Sequence, residues 1–139
     1  MPAKQIVHQN IPNSEYKDYF RKAEEFYSTM RDCFARGKWT SAALEAVHAA
    51  ICANDALTIF AKGIKCSSPR HEDAVTLLQG LTELENVKTN SSHLLRVIKQ
   101  KNAVEYDRKS FTQKEAEEIT KHAERFVEWV KSILPKNGR

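Results

Sequence analysis

Apolar residues recur at spacings of three and four along almost the whole chain, as they do in helices that bury one face. Tyr16, Tyr19, Phe20, Ala23, Phe26, Tyr27, Met30, Cys33 and Phe34 predict a first helix over about 14–36, with Gly37 placed to end it. A second helix, capped by Thr40 or Ser41, carries a stripe of Ala42, Ala46, Ala49, Ala50, Ala53, Ala56, Leu57 and Phe60 and stops at Gly63. So many alanines on one face let a neighbouring helix come close. Lys65 to Pro69 reads as a loop, with Ser68 as N-cap and Pro69 as the first residue of a third helix. Glu72 and Asp73 fall in its first turn, where the helix dipole favours anions. Its stripe is Ala74, Leu77, Leu78, Leu81 and Leu84.

Asn90-Ser91-Ser92 is expected to break and recap the chain, opening a fourth helix over about 91–107 with Leu94, Leu95, Val97, Ile98 and Val104. Thr112 and Glu115 form a capping box, with Phe111 as its hydrophobic staple. A fifth helix then carries Ile119, Ala123, Phe126, Val127, Val130, Ile133 and Leu134, and Pro135 and Gly138 stop it. No alternating β pattern competes. The expected fold class is all-α, an antiparallel up-and-down bundle of about five helices with short connections. It fills 13–135 as a single domain, between a flexible N-terminal segment (1–12) and a C-terminal tail (136–139).

At 139 residues, 41% hydrophobic and 29% charged, the chain suits one core and is neither disordered nor membrane-embedded. Three widely spaced cysteines, Cys33, Cys52 and Cys66, make neither a disulfide framework nor a Cys-x-x-Cys zinc signature. No apolar run approaches 18 residues, and the first twelve lack the apolar stretch of a signal peptide. A cytoplasmic protein with no membrane partner is expected. The net charge of +4 is unevenly spread: residues 88–109 hold six cations (Lys88, Arg96, Lys99, Lys101, Arg108, Lys109) against two acids. Such a cluster either attracts phosphates or forms a solvated helix face.

The five histidines, His8, His48, His71, His93 and His122, include no pair at i,i+4. His71-Glu72-Asp73 are adjacent helical residues pointing different ways, so no metal site is expected. Nucleophile-elbow and phosphate-loop patterns are absent, and no cofactor is expected. Cys52 reads as a small buried hydrophobe. Two polar features remain. Asn54-Asp55 interrupts an apolar stretch, where a carboxylate needs a Lys or Arg partner or has a function. In Arg96-Val-Ile-Lys99-Gln-Lys101-Asn102-Ala-Val-Glu105-Tyr106-Asp107, Asn102 and Tyr106 share a face, and so do Lys101 and Glu105, which read as an exposed salt bridge. Lys, Asn and Tyr together can grip phosphate and stack on a base.

These passages resemble the HEPN domain (higher eukaryotes and prokaryotes nucleotide-binding). The likeness runs through the aromatic first helix, His48-Ala-Ala-Ile-Cys-Ala-Asn54-Asp55-Ala-Leu57, His71-Glu-Asp-Ala74, Lys101-Asn102-Ala-Val-Glu105-Tyr106-Asp107 and Ala123-Glu-Arg-Phe-Val127, covering about 14–134. It implies a helical bundle that commonly pairs into a homodimer with a groove at the interface. Many members are metal-independent ribonucleases, some bind nucleotides or accompany a nucleotidyltransferase, and some have lost catalysis. The family's ribonuclease motif is Arg, a polar residue often Asn, three more residues, then His. Lys101 stands at the Arg place, Asn102 matches, and Tyr106 stands at the His place. An ammonium lacks the flat fork of a guanidinium, and a phenol, with an ordinary pKa of about 10, is a poor base at neutral pH.

The resulting expectation is a HEPN-like domain, leaning away from catalysis. It binds RNA or nucleotide phosphates at a dimer groove through Arg96, Lys99, Lys101, Asn102, Tyr106 and Asp55, with Lys101 and Tyr106 as the only catalytic candidates. The alternatives are a weak or atypical ribonuclease of toxin or defence type, and a protein-interaction module of a toxin–antitoxin or nucleotidyltransferase-associated system.

Overall fold

In the computed structural model, residues 6–107 and 109–136 are described. The elements are β1 (His8–Asn10), a 3-10 turn (Asn13–Glu15), α1 (Tyr16–Ala35), α2 (Trp39–Lys62), β2 (Ile64–Cys66), α3 (Glu72–Gln79), α4 (Val87–Lys99), α5 (Lys101–Tyr106) and α6 (Gln113–Ile133). The fold is an all-α bundle with α2 at its centre, packed against α1, α4, α5 and α6. Ala42, Ala43, Ala46, Ala49, Ala50, Ala53 and Ala56 are all wholly buried, so α2 meets helices on several sides at once. α1 lays Tyr16, Phe20, Ala23, Tyr27 and Met30 against it. Residues 36–38 are too short a link for a parallel return, so α1 and α2 run antiparallel. By length and hydropathy α2 also passes as a membrane span, despite the polar interruptions that argue against one. With 67% of that window buried by its neighbours, it occupies the place of a core helix.

Several boundaries differ from the sequence expectation, each because a tertiary contact outweighs a local signal. Thr40 does not cap α2. Its Oγ1 instead accepts a hydrogen bond from the Phe111 backbone N–H at 3.0 Å, tying the start of α6 to the start of α2. Ser68 and Pro69 precede α3 rather than open it. The Ser68 hydroxyl accepts from the Arg70 N–H (3.1 Å) and donates to Asp73 Oδ2 (2.6 Å), closing a turn that delays the helix to Glu72. Leu81 and Leu84 lie beyond α3, in the link to α4. Asn90 and Ser91 do not break the chain; both are buried within α4, bonded back to the carbonyls of Asn86 and Lys88. The break falls at Gln100, which splits the expected fourth helix into α4 and α5.

The capping box of α6 forms as expected: Glu115 N–H donates to Thr112 Oγ1 (3.1 Å) and Thr112 N–H to Glu115 Oε1 (2.9 Å). Within the segment expected to be flexible, residues 8–10 pair antiparallel with β2, with His8 opposite Cys66 and Asn10 opposite Ile64. Two three-residue strands are too short to leave an alternating pattern in a sequence. The segment is held further by Asn13, whose Nδ2 donates to the carbonyls of Ile59 and Phe60 at the C-terminus of α2. Gly63 makes that approach possible. Its φ is +65°, and a Cβ there would stand 3.1 Å from the Ile11 carbonyl. Residues 1–5 and most of the expected tail lie outside the described residues.

Candidate functional site

The residues singled out in the sequence separate into three places. The first is α5. Lys101 Nζ and Glu105 Oε2 are 2.9 Å apart, with side chains only 15% and 19% exposed, so the pair is half-buried rather than a surface bridge. The hydrogen bond from Lys101 holds the Glu105 carboxyl below the usual carboxylate range. The Lys101 ammonium is thus already engaged by a carboxylate. Asn102 is exposed, and Tyr106, 76% exposed, is one of two large hydrophobic side chains left open to solvent among the described residues.

The second place is a groove of about 490 Å3 between α4 and α6, with Arg96, Lys99, Gln100, Glu118 and His122 on its walls. A neighbouring groove carries it past His93 to Lys88 and Lys121. Lys88, Arg96 and Lys99 make no ion pair among the described residues. The acids nearby have local partners: Glu115 serves the capping box, and Glu118 is bonded to Lys121 and His122. Arg108, counted in the basic segment, lies outside the described residues.

The groove also holds a pair that the sequence does not reveal. His93 Nδ1 and His122 Nδ1 lie 2.9 Å apart, and His122 Nε2 lies 3.1 Å from Glu118 Oε1. Burial, then the charges of His122, Arg125, Arg96 and Lys121, push the His93 imidazole below its ordinary value of 6.5. His93 is therefore held neutral at neutral pH, as a weaker base than a free imidazole. The two histidines are 29 residues apart on different helices, so no spacing rule links them. Packing brings Arg96 and His122, on different helices, to the same groove.

The third place is a cavity of about 180 Å3 enclosed by α2, β2, the loop before α3, and α4. Asn54 (2% exposed) and Asp55 (9% exposed) form its polar wall. Asn54 Oδ1 is enclosed without a hydrogen-bond partner among the described residues. Of the two expectations for Asp55, a Lys or Arg ion pair is not found among the described residues; burial pushes its carboxyl from 3.8 up to about 6, offset in part by the charge of Lys65. Cys52, one turn before Ala56, is half-buried rather than buried, and burial raises its thiol. Among the described residues no group of three His, Cys, Asp or Glu side chains is placed to hold a metal ion.

The sequence matches the model of one family, described as the HEPN domain, over residues 16–133. That match begins at the first residue of α1 and ends at the last of α6. No curated protein matches the chain. The match takes in the whole bundle, and the chain belongs to the HEPN domain family.

Proposed function

We propose that this HEPN domain binds RNA, or the phosphates of nucleotides, on the cationic face of α4 without cleaving them. The observation that carries this reading is the set of α4 cations along the two neighbouring grooves, Lys88, Arg96 and Lys99, that make no ion pair among the described residues. Unpaired cations beside a concave surface draw phosphates and release counterions on binding. The reading moves the grip from Lys101, which Glu105 engages, to Arg96 and Lys99. Tyr106 and Asn102, exposed together on α5, supply a stacking face or the contact with a second copy of the chain in a homodimer.

The test is RNA affinity across a salt series. For single strands, log affinity falls against log salt with a slope of about −0.7 per phosphate neutralised. Replacing Arg96 and Lys99 by Gln is expected to weaken binding and flatten that slope by about 1–2. A salt-independent signal, or an unchanged slope in the double variant, removes the reading.

A weak ribonuclease is the second reading, favoured by the hydrogen-bonded His93–His122 pair beside Arg96. An imidazole pair next to a guanidinium can move a proton and hold a phosphate. Transcript loss with purified protein that stops in both His93→Gln and His122→Gln would favour it. RNA left intact after long incubation would exclude it.

A further inference from the structure

We infer that the cavity beside Asn54 and Asp55 is a base pocket that selects guanine from among the nucleobases. The inference rests on the reading that the domain binds RNA or nucleotides, and it adds a specificity that the α4 cations do not provide.

Two adjacent polar side chains are sunk into an apolar stretch of α2, and neither has a side-chain hydrogen bond or ion pair among the described residues. An enclosed polar atom without a partner costs about 1–3 kcal/mol. Such groups are rare in folded proteins and mark places where something else completes the bonding. Ile51, one turn before Asp55 on the same face of α2, and the largely buried Leu94 and Ile98 of α4 add apolar lining. The cavity's 180 Å3 is smaller than the roughly 300–1,000 Å3 of pockets for drug-sized ligands. It therefore suits one base, with sugar and phosphate left outside. Lys65 and Arg70 line the same cavity: Arg70 is exposed and can reach a phosphate at the opening, and half-buried Lys65, with its ammonium 5.8 Å from the Tyr19 ring centroid, adds positive charge beside it.

The choice of base follows from the donor pattern. An ionised carboxylate only accepts hydrogen bonds. Guanine offers it two parallel donors, N1–H and one N2–H, which together match the two carboxylate oxygens. Adenine and cytosine each turn a ring-nitrogen lone pair toward the carboxylate beside their amino group. Uracil sets its single N–H between two carbonyl oxygens. A site that hydrogen-bonds a donor strongly rejects analogues lacking it, because its own buried groups are then left unpaired.

The experiment is calorimetric titration of the full chain at pH 8 with GMP, IMP, AMP, CMP and UMP, and with guanosine. GMP is expected to bind more than about tenfold tighter than AMP, CMP or UMP, with IMP, which lacks the 2-amino group, weaker by about tenfold. Asp55→Asn is expected to weaken GMP by about tenfold or more while keeping its helical circular dichroism. Lys65→Gln is expected to weaken GMP several-fold and leave guanosine unchanged. Near-equal affinities for the nucleotides, no GMP binding, or unchanged GMP binding in Asp55→Asn would overturn the inference. The Arg96→Gln, Lys99→Gln double variant separates the two readings. If it loses RNA while wild-type protein shows no guanine preference, only the pocket fails. If guanine preference is present and the double variant still holds RNA, only the α4 reading fails.

Discussion

His93 on α4 and His122 on α6 face each other through their Nδ1 atoms at 2.9 Å, with ring centroids 5.1 Å apart. The contact needs one ring to donate its N–H and the other to accept it, so it requires at least one neutral imidazole. It joins the two helices that form the cationic groove.

The pair makes the α4–α6 contact sensitive to acid. His93 has a folded-state value below the unfolded 6.5, through burial first and neighbouring charges next. Its stabilising contribution is thus present above pH 6.5 and is lost as pH falls from there through the lower folded value. Urea unfolding between pH 8 and 5 should show wild type losing its advantage over His93→Gln across that window. At pH 8 the variant should be about 1 kcal/mol less stable, the size of one hydrogen bond. A pH-independent difference would count against the pair.

Asp55 works in the opposite direction. Its carboxyl, raised from 3.8 to about 6, binds a proton more readily folded than unfolded, so stability falls as pH rises between those values. At pH 8 the buried charge destabilises the fold by on the order of 2–3 kcal/mol. Asp55→Asn should therefore be the more stable protein at pH 8, with the gain shrinking through pH 6 and gone below pH 4. Thermal melts at several pH values check this, and equal stability at pH 8 would contradict it.

The alanine seam predicts steep intolerance to volume. Ala53 is wholly buried on α2. Ala53→Leu forces the neighbouring helices apart and should destabilise by about 1–3 kcal/mol or more. The midpoint of urea unfolding measures it.

The start of α6 depends on two hydroxyls. Thr112→Ala removes the capping box and should cost about 1 kcal/mol. Thr40→Ala leaves the Phe111 N–H without its partner and should cost about the same, although Thr40 lies on a different helix. A silent Thr40→Ala in denaturant titration would show that solvent satisfies that N–H equally well.

Lys101 separates a family motif from a working contact. Because Glu105 engages its ammonium, Lys101→Ala should lower RNA affinity less than Arg96→Gln does, while destabilising the chain modestly by removing the charged partner of half-buried Glu105. Parallel binding and unfolding curves for the two variants decide it.

The sequence by itself determined the three long helices, α1, α2 and α6. The stripes of α1, α2 and α6 and the Thr112–Glu115 box arise from residues three or four apart, where helical geometry alone places side chains together. The HEPN pattern was legible for the same reason, as runs of neighbours along those helices. Only the tertiary structure decided what the polar residues do. It engaged Lys101 with Glu105 in a half-buried pair, set Arg96 beside a histidine from another helix, and left Asn54 and Asp55 facing a cavity. These outcomes depend on which helix faces pack against each other. That choice is made by the burial of the whole bundle, and no short window of sequence contains it.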